Sequence, residues 1–453
     1  MGLASPPPPA KLSEPPLLAH CVSYINASLM NGWGLRRPLL FSVVISMIDF
    51  FRFCVQNNPM IGISKLYCNA VEASDPLRYG RDSRKLPSHL LQFSADKKPV
   101  VVWNMTKRCN LKCVHCYAQA GDETHKGNEL TTDEGKRLID DLADFGVPVI
   151  LFSGGEPVLR EDLPELIDYA VGKGLRAVIS TNGTLITEEK AKEFARYALS
   201  YIGISLDGTG RINDAFRGVR GAFDRAVAGV RNAKKAGIKV GLRFTIHKGN
   251  FEEIPKIFDI IEEEGIPRVC FYHLVYAGRG SKLIDEDISH AESRKVVDYI
   301  MGRTKTFFDR GKPLEVLTVD NHADGPYVYL RLLKEDRKRA DEVYELLMMN
   351  EGNASGVGIA CVDEEGNVHA DQFWRHYSFG NVRERPFSEI WMDTNNDLMA
   401  RLKEKKKYVK GKCARCRWLN ICGGNFRVRA EAATGDVWAE DPQCYLTEEE
   451  ISN

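Results

Sequence analysis

The sequence predicts an α/β fold, namely an α/β barrel or part of one, followed by a smaller cysteine-containing domain. Six short runs rich in β-branched and aromatic residues alternate with amphipathic stretches of helical period from residue 99 onward. Such alternation is typical of a parallel sheet with right-handed crossovers, in which the loops that follow the strands form the active site. Beyond about residue 350 the alternation stops, and turn residues and cysteines become frequent.

The predicted strands follow one another with helices between them. Their sequences are, in order, PVVVWN, PVILFS, RAVIST, YIGISL, KVGLRFT and RVCFYHL. The stretch TTDEGKRLIDDLADFG, between the first two, begins with a capping box formed by Thr131 and Glu134. These patterns divide the chain into a non-native or disordered extension (1–59), an N-terminal segment (60–96), a partial barrel of six βα units (97–310), a helical linker (311–349) and a C-terminal domain (350–453).

The amino-acid composition limits the classes of protein to which this chain can belong. The 453 residues are 43% hydrophobic and 27% charged, which is typical of a soluble globular protein. Lysine plus arginine equals aspartate plus glutamate at 62 each, so no overall field attracts nucleic acid, and a charged ligand needs a local pocket. Six of the twelve cysteines form two compact groups, whose short spacings suit a shared metal better than disulfides. We therefore expect a reducing, cytoplasmic location.

The first 59 residues combine a proline-rich start with a short apolar run. The run at 38–48 is interrupted by Asp49 and is too short to span a bilayer, so we expect no stable membrane insertion. The favoured interpretation is that Met60 is the natural start and that an unrelated extension precedes it. An anchor at a membrane interface is the alternative. Three thiols would then have no function: Cys21, Cys54 and Cys68.

The residues most suggestive of chemistry follow the predicted strands. Cysteines at 109–116 come after the first strand, and the motifs SGGEP (153–157), STNGT (180–184) and SLDG (205–208) end the next three. Because the carboxyl ends of parallel strands share one rim, we expect these side chains to lie close together.

Three cysteines form the first compact group. Cys109, Cys113 and Cys116, spaced CxxxCxxC, suit three irons of a [4Fe–4S] cluster, since such a cluster takes a soft thiolate at each corner. The fourth iron would be left open for a substrate or cosubstrate. A zinc knuckle, which needs a fourth ligand, and a chance run of buried cysteines are the alternatives.

With an aromatic residue, His115, before its last cysteine, this loop resembles the motif of the radical S-adenosylmethionine (radical SAM) superfamily. The resemblance implies that the open iron binds the amino nitrogen and carboxylate of S-adenosylmethionine, whose reductive cleavage gives a 5′-deoxyadenosyl radical. It also implies that the cofactor-binding residues are His115, Gly154, Gly155, Glu156, Ser180, Asn182, Ser205, Asp207 and Arg243.

The types of these residues suit that ligand. Gly154 and Gly155 allow a close backbone approach, and Glu156 can accept a hydrogen bond from the ammonium group. The hydroxyl and amide groups on the next two loops suit a ribose or a carboxylate, and Arg243 can pair with the methionine carboxylate. The plainer alternatives are simple turns at GGEP, NG and DG and an exposed arginine at 243.

The C-terminal domain contains the second cysteine group. Turns at 365–367 and 380–381 precede a short predicted helix and the stretch CARCRWLNICGGNFRVRAE. This region resembles the SPASM/twitch extension of the superfamily, with Phe426 where a further cysteine usually stands. The resemblance implies one auxiliary [4Fe–4S] cluster, hence two clusters in all, with the ligands Cys413, Cys416, Cys422 and Cys444.

Other assignments of these cysteines stay open. A zinc ribbon on the same four residues is the alternative to the cluster. Cys361 and Asp371 lie near the positions of the missing upstream ligands and are further candidates. Cys270, inside a predicted strand, is expected to belong to the core.

Three substrate classes fit such an enzyme. Peptide maturases carry a docking module for which residues 61–96 are too short, and nucleic-acid modifiers show basic, aromatic-rich appendages that this chain lacks. Stretches such as YCNAVEASDPLRYGR and FYHLVYAGRGSKL, across about residues 60–450, instead resemble the family of 12,18-didecarboxysiroheme deacetylases. The resemblance implies removal of two acetate side chains to give iron-coproporphyrin III, with ferredoxin or flavodoxin as electron donor.

Nearly as strong is the resemblance to the relatives that act in haem d1 synthesis on propionate side chains. A peptide-modifying SPASM enzyme is a further alternative, and a non-catalytic iron–sulfur or zinc scaffold is the alternative from outside the enzymes. A scaffold would form no 5′-deoxyadenosine from S-adenosylmethionine.

A tetrapyrrole with several carboxylates needs cations around a flat apolar slot, and its iron can take an axial histidine. The candidate cations are Arg279, Lys282, Arg375, Arg427 and Arg429. The candidates for stacking are Tyr272, Tyr276, Phe373 and Trp374. The candidate axial ligands are His115, His273, His369 and His376. The alternatives are solvated surface charges, core aromatics and hydrogen-bonded structural histidines.

Overall fold

The computed structural model describes residues 60–70, 98–121, 127–312 and 314–452. The predicted extension, with Cys21 and Cys54, and most of the predicted N-terminal segment lie outside the described residues. Within the described part, no helix combines the length and the apolar character needed to cross a lipid bilayer.

A ten-stranded sheet organises the described residues. Its strands are β1 (Ile61–Gly62), β2 (Val100–Asn104), β3 (Val149–Ser153), β4 (Arg176–Thr181), β5 (Tyr201–Ser205), β6 (Val240–Ile246), β7 (Arg268–His273), β8 (Glu315–Val319), β9 (Ile359–Val362) and β10 (Val368–His369). Their order across the sheet is β1-β8-β7-β6-β5-β4-β3-β2-β9-β10. Strands β2 to β9 pair in parallel, and β1 and β10 pair antiparallel at the two edges.

Helices connect the parallel strands and complete the C-terminal domain. They are α1 (Ile63–Cys68), α2 (Thr132–Phe145), α3 (Leu163–Gly172), α4 (Glu188–Arg196), α5 (Gly210–Arg217), α6 (Ala222–Lys235), α7 (Ile254–Glu264), α8 (His290–Asp309), α9 (Asp324–Glu335), α10 (Arg337–Asn350), α11 (Phe387–Met392), α12 (Asp397–Lys403), α13 (Leu419–Cys422), α14 (Arg427–Thr434) and α15 (Glu448–Ser452).

The six predicted strands are confirmed as β2 to β7, which lie side by side in chain order. Their apolar runs are buried, as expected for a parallel sheet covered by helices. The predicted capping box is also confirmed: the Thr131 side chain accepts from the Glu134 amide, and the Thr131 amide donates to the Glu134 carboxylate at 2.8 Å. The alternating pattern therefore specifies the barrel correctly.

The expected helical linker at 311–349 is wrong in its first part, because β8 lies there. The run EVLTV is short, β-branched and buried throughout, and it pairs in parallel with β7. Only the second part of the range, α9 and α10, is helical. The parallel sheet consequently gains a seventh consecutive strand, whose end adds a further loop to the rim.

The C-terminal domain joins the same sheet. Strand β9 pairs in parallel with β2, and Val102 lies opposite Cys361. The predicted turn at 365–367 connects β9 to β10, with Gly366 at a φ of 91°, and the predicted short helix is α11. The strand that leads to the first cysteine group is thus flanked by both domains.

Two glycines in helix interiors provide a matched test of how closely α6 packs against the barrel. A Cβ at Gly229, in α6, would lie 2.2 Å from the carbonyl oxygen of Gly183, whereas a Cβ at Gly302, in α8, would meet no atom outside its own helix within 4 Å. Gly229→Ala should lower the free energy of unfolding by about 1–3 kcal/mol. Gly302→Ala should raise it by about 0.5–1 kcal/mol, because alanine favours the helix. Denaturant unfolding measures both, and equal effects would contradict the packing of α6.

Candidate active site

The three cysteines of the CxxxCxxC loop lie together after β2. Cys109 and Cys113 are buried, and Cys116 is partly buried. Burial, followed by Glu156 and the neighbouring thiols, raises the pKa of Cys109 to about 12. Such thiols are protonated at neutral pH on their own, whereas a soft metal binds them as thiolates. The donor set therefore fits the predicted iron–sulfur cluster.

An arginine at the end of α5 holds this loop in place. The Lys112 amide donates to the carbonyl oxygen of Arg217 at 3.0 Å, and Arg217 Nη1 donates to Cys113 Sγ at 3.6 Å. The same guanidinium pairs with Asp207, which is fully buried after β5. Asp207 thus acts on the cysteine loop through Arg217, and its predicted contact with a ribose stays a prediction.

A cavity of about 150 Å³, here called the rim cavity, lies at the carboxyl ends of the strands. The predicted residues on its lining are Cys109, Cys113, His115, Cys116, Gly154, Gly155, Ser180, Asn182, Ser205 and Arg243. Glu156 and Asp207 are fully buried and do not line it. The structure therefore brings most of the predicted cofactor-binding residues to one place.

The two glycines of SGGEP allow their loop to pack against the chain that leads to the cysteines. A Cβ at Gly154 would lie 2.5 Å from the carbonyl oxygen of Thr106, and one at Gly155 would lie 2.2 Å from that of Arg108. Gly154 also has a φ of 131°, which side chains disfavour. The Gly155 amide donates to Thr106 at 2.6 Å. A larger residue at either position would displace one of the two loops.

Glu156 links the loops after β3 and β4. Its carboxylate accepts from Thr181 Oγ1 at 2.7 Å and from the Asn182 amide at 2.8 Å. Burial raises its pKa to about 7, and these hydrogen bonds oppose the shift. Both carboxylate oxygens already have protein donors, so the predicted hydrogen bond to the cosubstrate ammonium stays a prediction.

Arg243 extends from β6 to the rim cavity. Its guanidinium lies 4.8 Å from the centre of the Tyr272 ring. No side chain of the described residues accepts a hydrogen bond from it. Arg243 shares this cavity with Asp320, with which it interacts electrostatically, and its predicted pairing with the methionine carboxylate stays a prediction.

The position of His115 has a physical reason in ring stacking. Its imidazole stacks on Phe216 with 4.3 Å between ring centres, and Phe216 stacks in turn on His247 at 4.4 Å. Burial lowers the pKa of His115 well below its usual value, so the ring is neutral. His115 thus packs as a neutral aromatic ring beside the last cysteine of the loop.

A larger cavity of about 910 Å³, here called the outer cavity, is lined by residues of the barrel rim and of the C-terminal domain. Tyr117 and Phe373 line both cavities, and their rings lie edge to face at 5.2 Å. Of the predicted cations, Arg375 lines the outer cavity. These two aromatic rings therefore form the boundary between the two spaces.

The structure places two predicted substrate arginines in the interior instead. Arg427 donates to the carbonyl oxygens of Val437 at 3.1 Å and Ala439 at 2.5 Å. Arg429 forms two hydrogen bonds of 2.9 Å with Asp441, and both side chains are fully buried. These arginines stabilise the C-terminal domain and cannot reach a ligand.

Two further candidate cations are not on the lining of the outer cavity. Arg279 Nε donates to the carbonyl oxygen of Cys113 at 2.8 Å, so it supports the cysteine loop. Lys282 is exposed and lines neither cavity. The prediction of substrate contacts at both residues therefore lacks support from their positions.

Some of the candidate aromatic residues line a cavity, and one is buried in the core. Tyr272 lines the rim cavity, and Tyr276 lines the outer cavity, as Phe373 does. Trp374 is fully buried in the core, which excludes the predicted stacking on a ligand. The sequence around Trp374 contains no signal that its side chain is buried.

The candidate axial histidines have different surroundings. His369 is buried between the carbonyl oxygen of Tyr377 at 2.6 Å and Asp363 at 3.2 Å, so it belongs to the β9–β10 hairpin. His273 lies 3.0 Å from Asp324 and lines the rim cavity, as His115 does. His376 lines the outer cavity.

The four C-terminal cysteines also lie together. Cys413, Cys422 and Cys444 are buried, and Cys416 is partly buried. Burial, followed by the other three thiols, raises the pKa of Cys422 well above its usual value. Four soft donors fit an iron–sulfur cluster or zinc. In the described ranges, no three histidine, cysteine, aspartate or glutamate side chains are arranged around a single metal ion.

The further candidate ligands have other partners. Cys361, in β9, accepts from Asn104 Nδ2 at 3.4 Å, and Asp371 accepts from the Phe373 amide at 2.8 Å. Both are fully buried, and their ligand role stays a prediction. Cys270 is buried in β7, which confirms its place in the core.

Comparison with known proteins decides the family. The radical SAM superfamily matches residues 103–274, and the SPASM iron–sulfur cluster-binding domain matches residues 353–417. The Fe-coproporphyrin III synthase of Methanosarcina barkeri is 68% identical over 86% of this chain and 99% of its own length. The chain belongs to the radical SAM superfamily. This radical SAM enzyme is also 44% identical to the pre-heme d1 synthase of Dinoroseobacter shibae, over 77% of this chain and 87% of the relative.

Solved structures confirm the fold of this radical SAM enzyme. Streptococcus suis SuiB bound to the precursor peptide SuiA aligns with a TM-score of 0.61 at 20% identity, over 79% of each chain. At this identity the likeness shows the fold alone. The predicted α/β partial barrel with a C-terminal SPASM domain is thereby confirmed. The SPASM match includes Cys413 and Cys416 and ends before Cys422.

Several residues of the two cavities were missed by the sequence analysis. Tyr117, which lines both cavities, directly follows Cys116 and could have been named from that position. Arg217 and Asp320 lie outside any motif, and Asp320 follows the unrecognised strand β8. Their roles depend on tertiary neighbours that no local pattern specifies.

The reassignment of Arg429 can be tested against an exposed cation. Arg429→Leu would leave Asp441 buried without its partner and should lower the free energy of unfolding by about 3–5 kcal/mol. Lys282→Ala, at an exposed position, should change it by less than about 0.5 kcal/mol. Denaturant unfolding measures both variants. A stable Arg429→Leu protein that binds its substrate more weakly would support the original prediction instead.

Proposed function

We propose that this enzyme removes the two acetate side chains of 12,18-didecarboxysiroheme to give iron-coproporphyrin III. The observation that carries the proposal is the 68% identity to Fe-coproporphyrin III synthase over 99% of that protein. The outer cavity supports it. Its volume of about 910 Å³ lies at the upper end of the range of small-molecule sites, as a tetrapyrrole requires.

The lining of the outer cavity offers aromatic surface and a predicted cation to a flat ligand, and the carboxylates of Asp363, Glu364, Glu365 and Glu431 also line it. Tyr276 and Phe373 offer aromatic surface. Arg375 Nη2 donates to both oxygens of Glu364 at 2.8 Å, whereas its Nη1 is buried without a partner among the described residues. Arg375 is the predicted cation on this lining, and its guanidinium is the candidate partner for a carboxylate of the substrate.

The proximity of the two cavities suits a reaction on a side chain of a macrocycle. A ring bound in the outer cavity would present its edge to Tyr117 and Phe373, beyond which the rim cavity begins. A side chain could then approach the cosubstrate while the ring itself stays outside. Close approach with water excluded is what a radical intermediate requires.

Two [4Fe–4S] clusters and S-adenosylmethionine would serve this reaction. The first cluster would be held by Cys109, Cys113 and Cys116, and the auxiliary one by Cys413, Cys416, Cys422 and Cys444. When bound, the first cluster and S-adenosylmethionine supply the radical chemistry that breaks an unactivated bond. The chain itself orients the reactants: Arg243 would bind the methionine carboxylate, and Arg217 fixes the cysteine loop. A ferredoxin or flavodoxin would donate the electron.

A second candidate function is favoured by the 44% identity to pre-heme d1 synthase. In that case the enzyme would act on propionate side chains of the same precursor. The two reactions remove groups of different mass, so the products distinguish them.

The deciding experiment is mass spectrometry after anaerobic incubation of the reconstituted enzyme with 12,18-didecarboxysiroheme, dithionite and S-adenosylmethionine. We expect loss of both acetate groups, with formation of 5′-deoxyadenosine. A change confined to the propionate groups would establish the second candidate. Failure to form any 5′-deoxyadenosine would refute both enzymatic functions.

The auxiliary cluster can be tested by removing one of its proposed ligands. Cys422→Ala should lower the iron content from about eight to about four per chain. It should abolish deacetylation and leave uncoupled cleavage of S-adenosylmethionine intact, because the first cluster is unaffected. Cys270→Ala removes a core thiol and serves as the control with full iron content. Metal analysis that finds zinc in the wild type and none in Cys422→Ala would instead establish the zinc ribbon.

The role of Phe373 at the boundary of the cavities gives a further prediction. Phe373→Ala removes aromatic surface from the outer cavity and should raise KM for the tetrapyrrole about tenfold. Phe308, an exposed ring on α8 outside both cavities, provides the matched control, and Phe308→Ala should leave KM unchanged. Steady-state kinetics measures both variants. An unchanged KM for Phe373→Ala would place the substrate elsewhere.

A further inference from the structure

A third cavity lies inside the partial barrel and has no role in the function described so far. Its volume is about 170 Å³, and apolar strand residues such as Val100, Val149 and Ile359 form much of its wall. We call it the barrel cavity. Arg243 and Tyr272 line both this cavity and the rim cavity, so the two spaces adjoin.

Glycines on two central strands make room for the polar groups of this cavity. A Cβ at Gly203, in β5, would lie 3.0 Å from Cδ of Arg243. A Cβ at Gly241, in β6, would lie 2.3 Å from the hydroxyl oxygen of Tyr201. Side chains at these positions would force Arg243 and Tyr201 to move. The barrel interior is therefore built to contain polar groups next to open space.

The charges on the lining do not balance among the described residues. Arg268 lies 3.4 Å from Glu315, and its Nε is buried without a hydrogen-bond partner. Asp320, also on the lining, interacts electrostatically with Arg243. Arg176 forms no hydrogen bond or ion pair with a side chain of the described residues. Glu315, the carboxylate that acts on it through its charge, also pairs with Arg268 and Lys239, and burial followed by the charge of Arg268 lowers the pKa of Arg176. When Glu315 and Asp320 are counted against Arg176, Arg243 and Arg268, one guanidinium charge has no carboxylate among the described residues to balance it.

An uncompensated, largely buried guanidinium is unfavourable unless an anion accompanies it. The geometry also restricts which anion can do so. The volume admits a small ion, and the apolar walls suit a ligand with a hydrocarbon part better than a fully polar ion such as phosphate. A carboxylate with a short apolar tail meets both conditions, since a guanidinium binds a carboxylate with matched donors.

We propose that the barrel cavity binds a small monocarboxylate with a short apolar tail, of which acetate is the simplest. The carboxylate lies at Arg176 and Arg268, and the methyl group packs against the valine side chains. The biological role of this site rests on the proposed function, in which the removed groups are acetate side chains. A cavity that adjoins the rim cavity can hold such a carboxylate while the macrocycle fills the outer cavity.

Acetate binding can be measured directly, without turnover. Saturation-transfer NMR of the acetate methyl group, on reconstituted holoenzyme with S-adenosylmethionine and no tetrapyrrole, should show saturable binding. Arg176→Gln should weaken it about tenfold, because it removes a guanidinium charge that no carboxylate of the described residues pairs with directly. Arg196→Gln, an exposed arginine on α4 outside the cavity, should leave the affinity unchanged. Acetamide, which has the same shape and no charge, should not compete.

A second variant tests the cavity itself. Gly241→Ala adds a methyl group against Tyr201 and should also weaken acetate binding, because the space becomes smaller. The proposal is overturned if acetate shows no saturable binding, if Arg176→Gln binds it as well as the wild type, or if acetamide competes equally. These outcomes are independent of the deacetylation assay. A failure of that assay with intact acetate binding would overturn the proposed function and leave this site standing.

Discussion

A buried ion pair sets the position of the cysteine loop, and the rest of the site depends on that position. The loop has no regular secondary structure of its own, yet it must keep three thiols close together. Asp207, after β5, pairs with Arg217, which in turn contacts Cys113 Sγ and the loop backbone. Burial of both charges is costly, which offsets much of the attraction between them, and the contacts of this pair set the position of the loop. Loss of either partner would leave an uncompensated charge beside the thiols.

A second set of contacts connects the remaining rim loops. The Gly155 amide donates to the loop after β2, and Glu156 accepts from the loop after β4. Asn182 Nδ2 then donates to Asn110 Oδ1 at 2.8 Å, which leads back to the cysteine loop. The loops after three neighbouring strands thus support one another before any ligand binds. Pre-organisation of this kind lowers the cost of holding reactants in one geometry.

The features that the sequence predicted correctly are those with local signals. Strand periodicity, a capping box and the spacing of cysteines and glycines are all contained in short stretches, and β2 to β7 and the rim motifs were found from them. The strand β8 is as long as β2, β3 and β5, and it was missed because it follows the six expected βα units and stands next to a stretch with helical signals. The buried state of Arg429 depends on Asp441, which no local pattern connects to it. Glu156 likewise has the expected position, but its partners are residues of another loop.

The C-terminal domain completes the active site through its attachment to the sheet. Because β9 pairs with β2, the chain that follows β10 brings Gln372 and Phe373 to the lining of the rim cavity. Phe373 contacts Tyr117 beside the first cysteines and Phe426 beside the auxiliary cysteines, with ring centres 5.2 and 5.6 Å apart. One aromatic side chain therefore joins the two cysteine groups and separates the two cavities. Rearrangement of the auxiliary loop would consequently reach the reaction site through packing alone, whichever metal its cysteines bind.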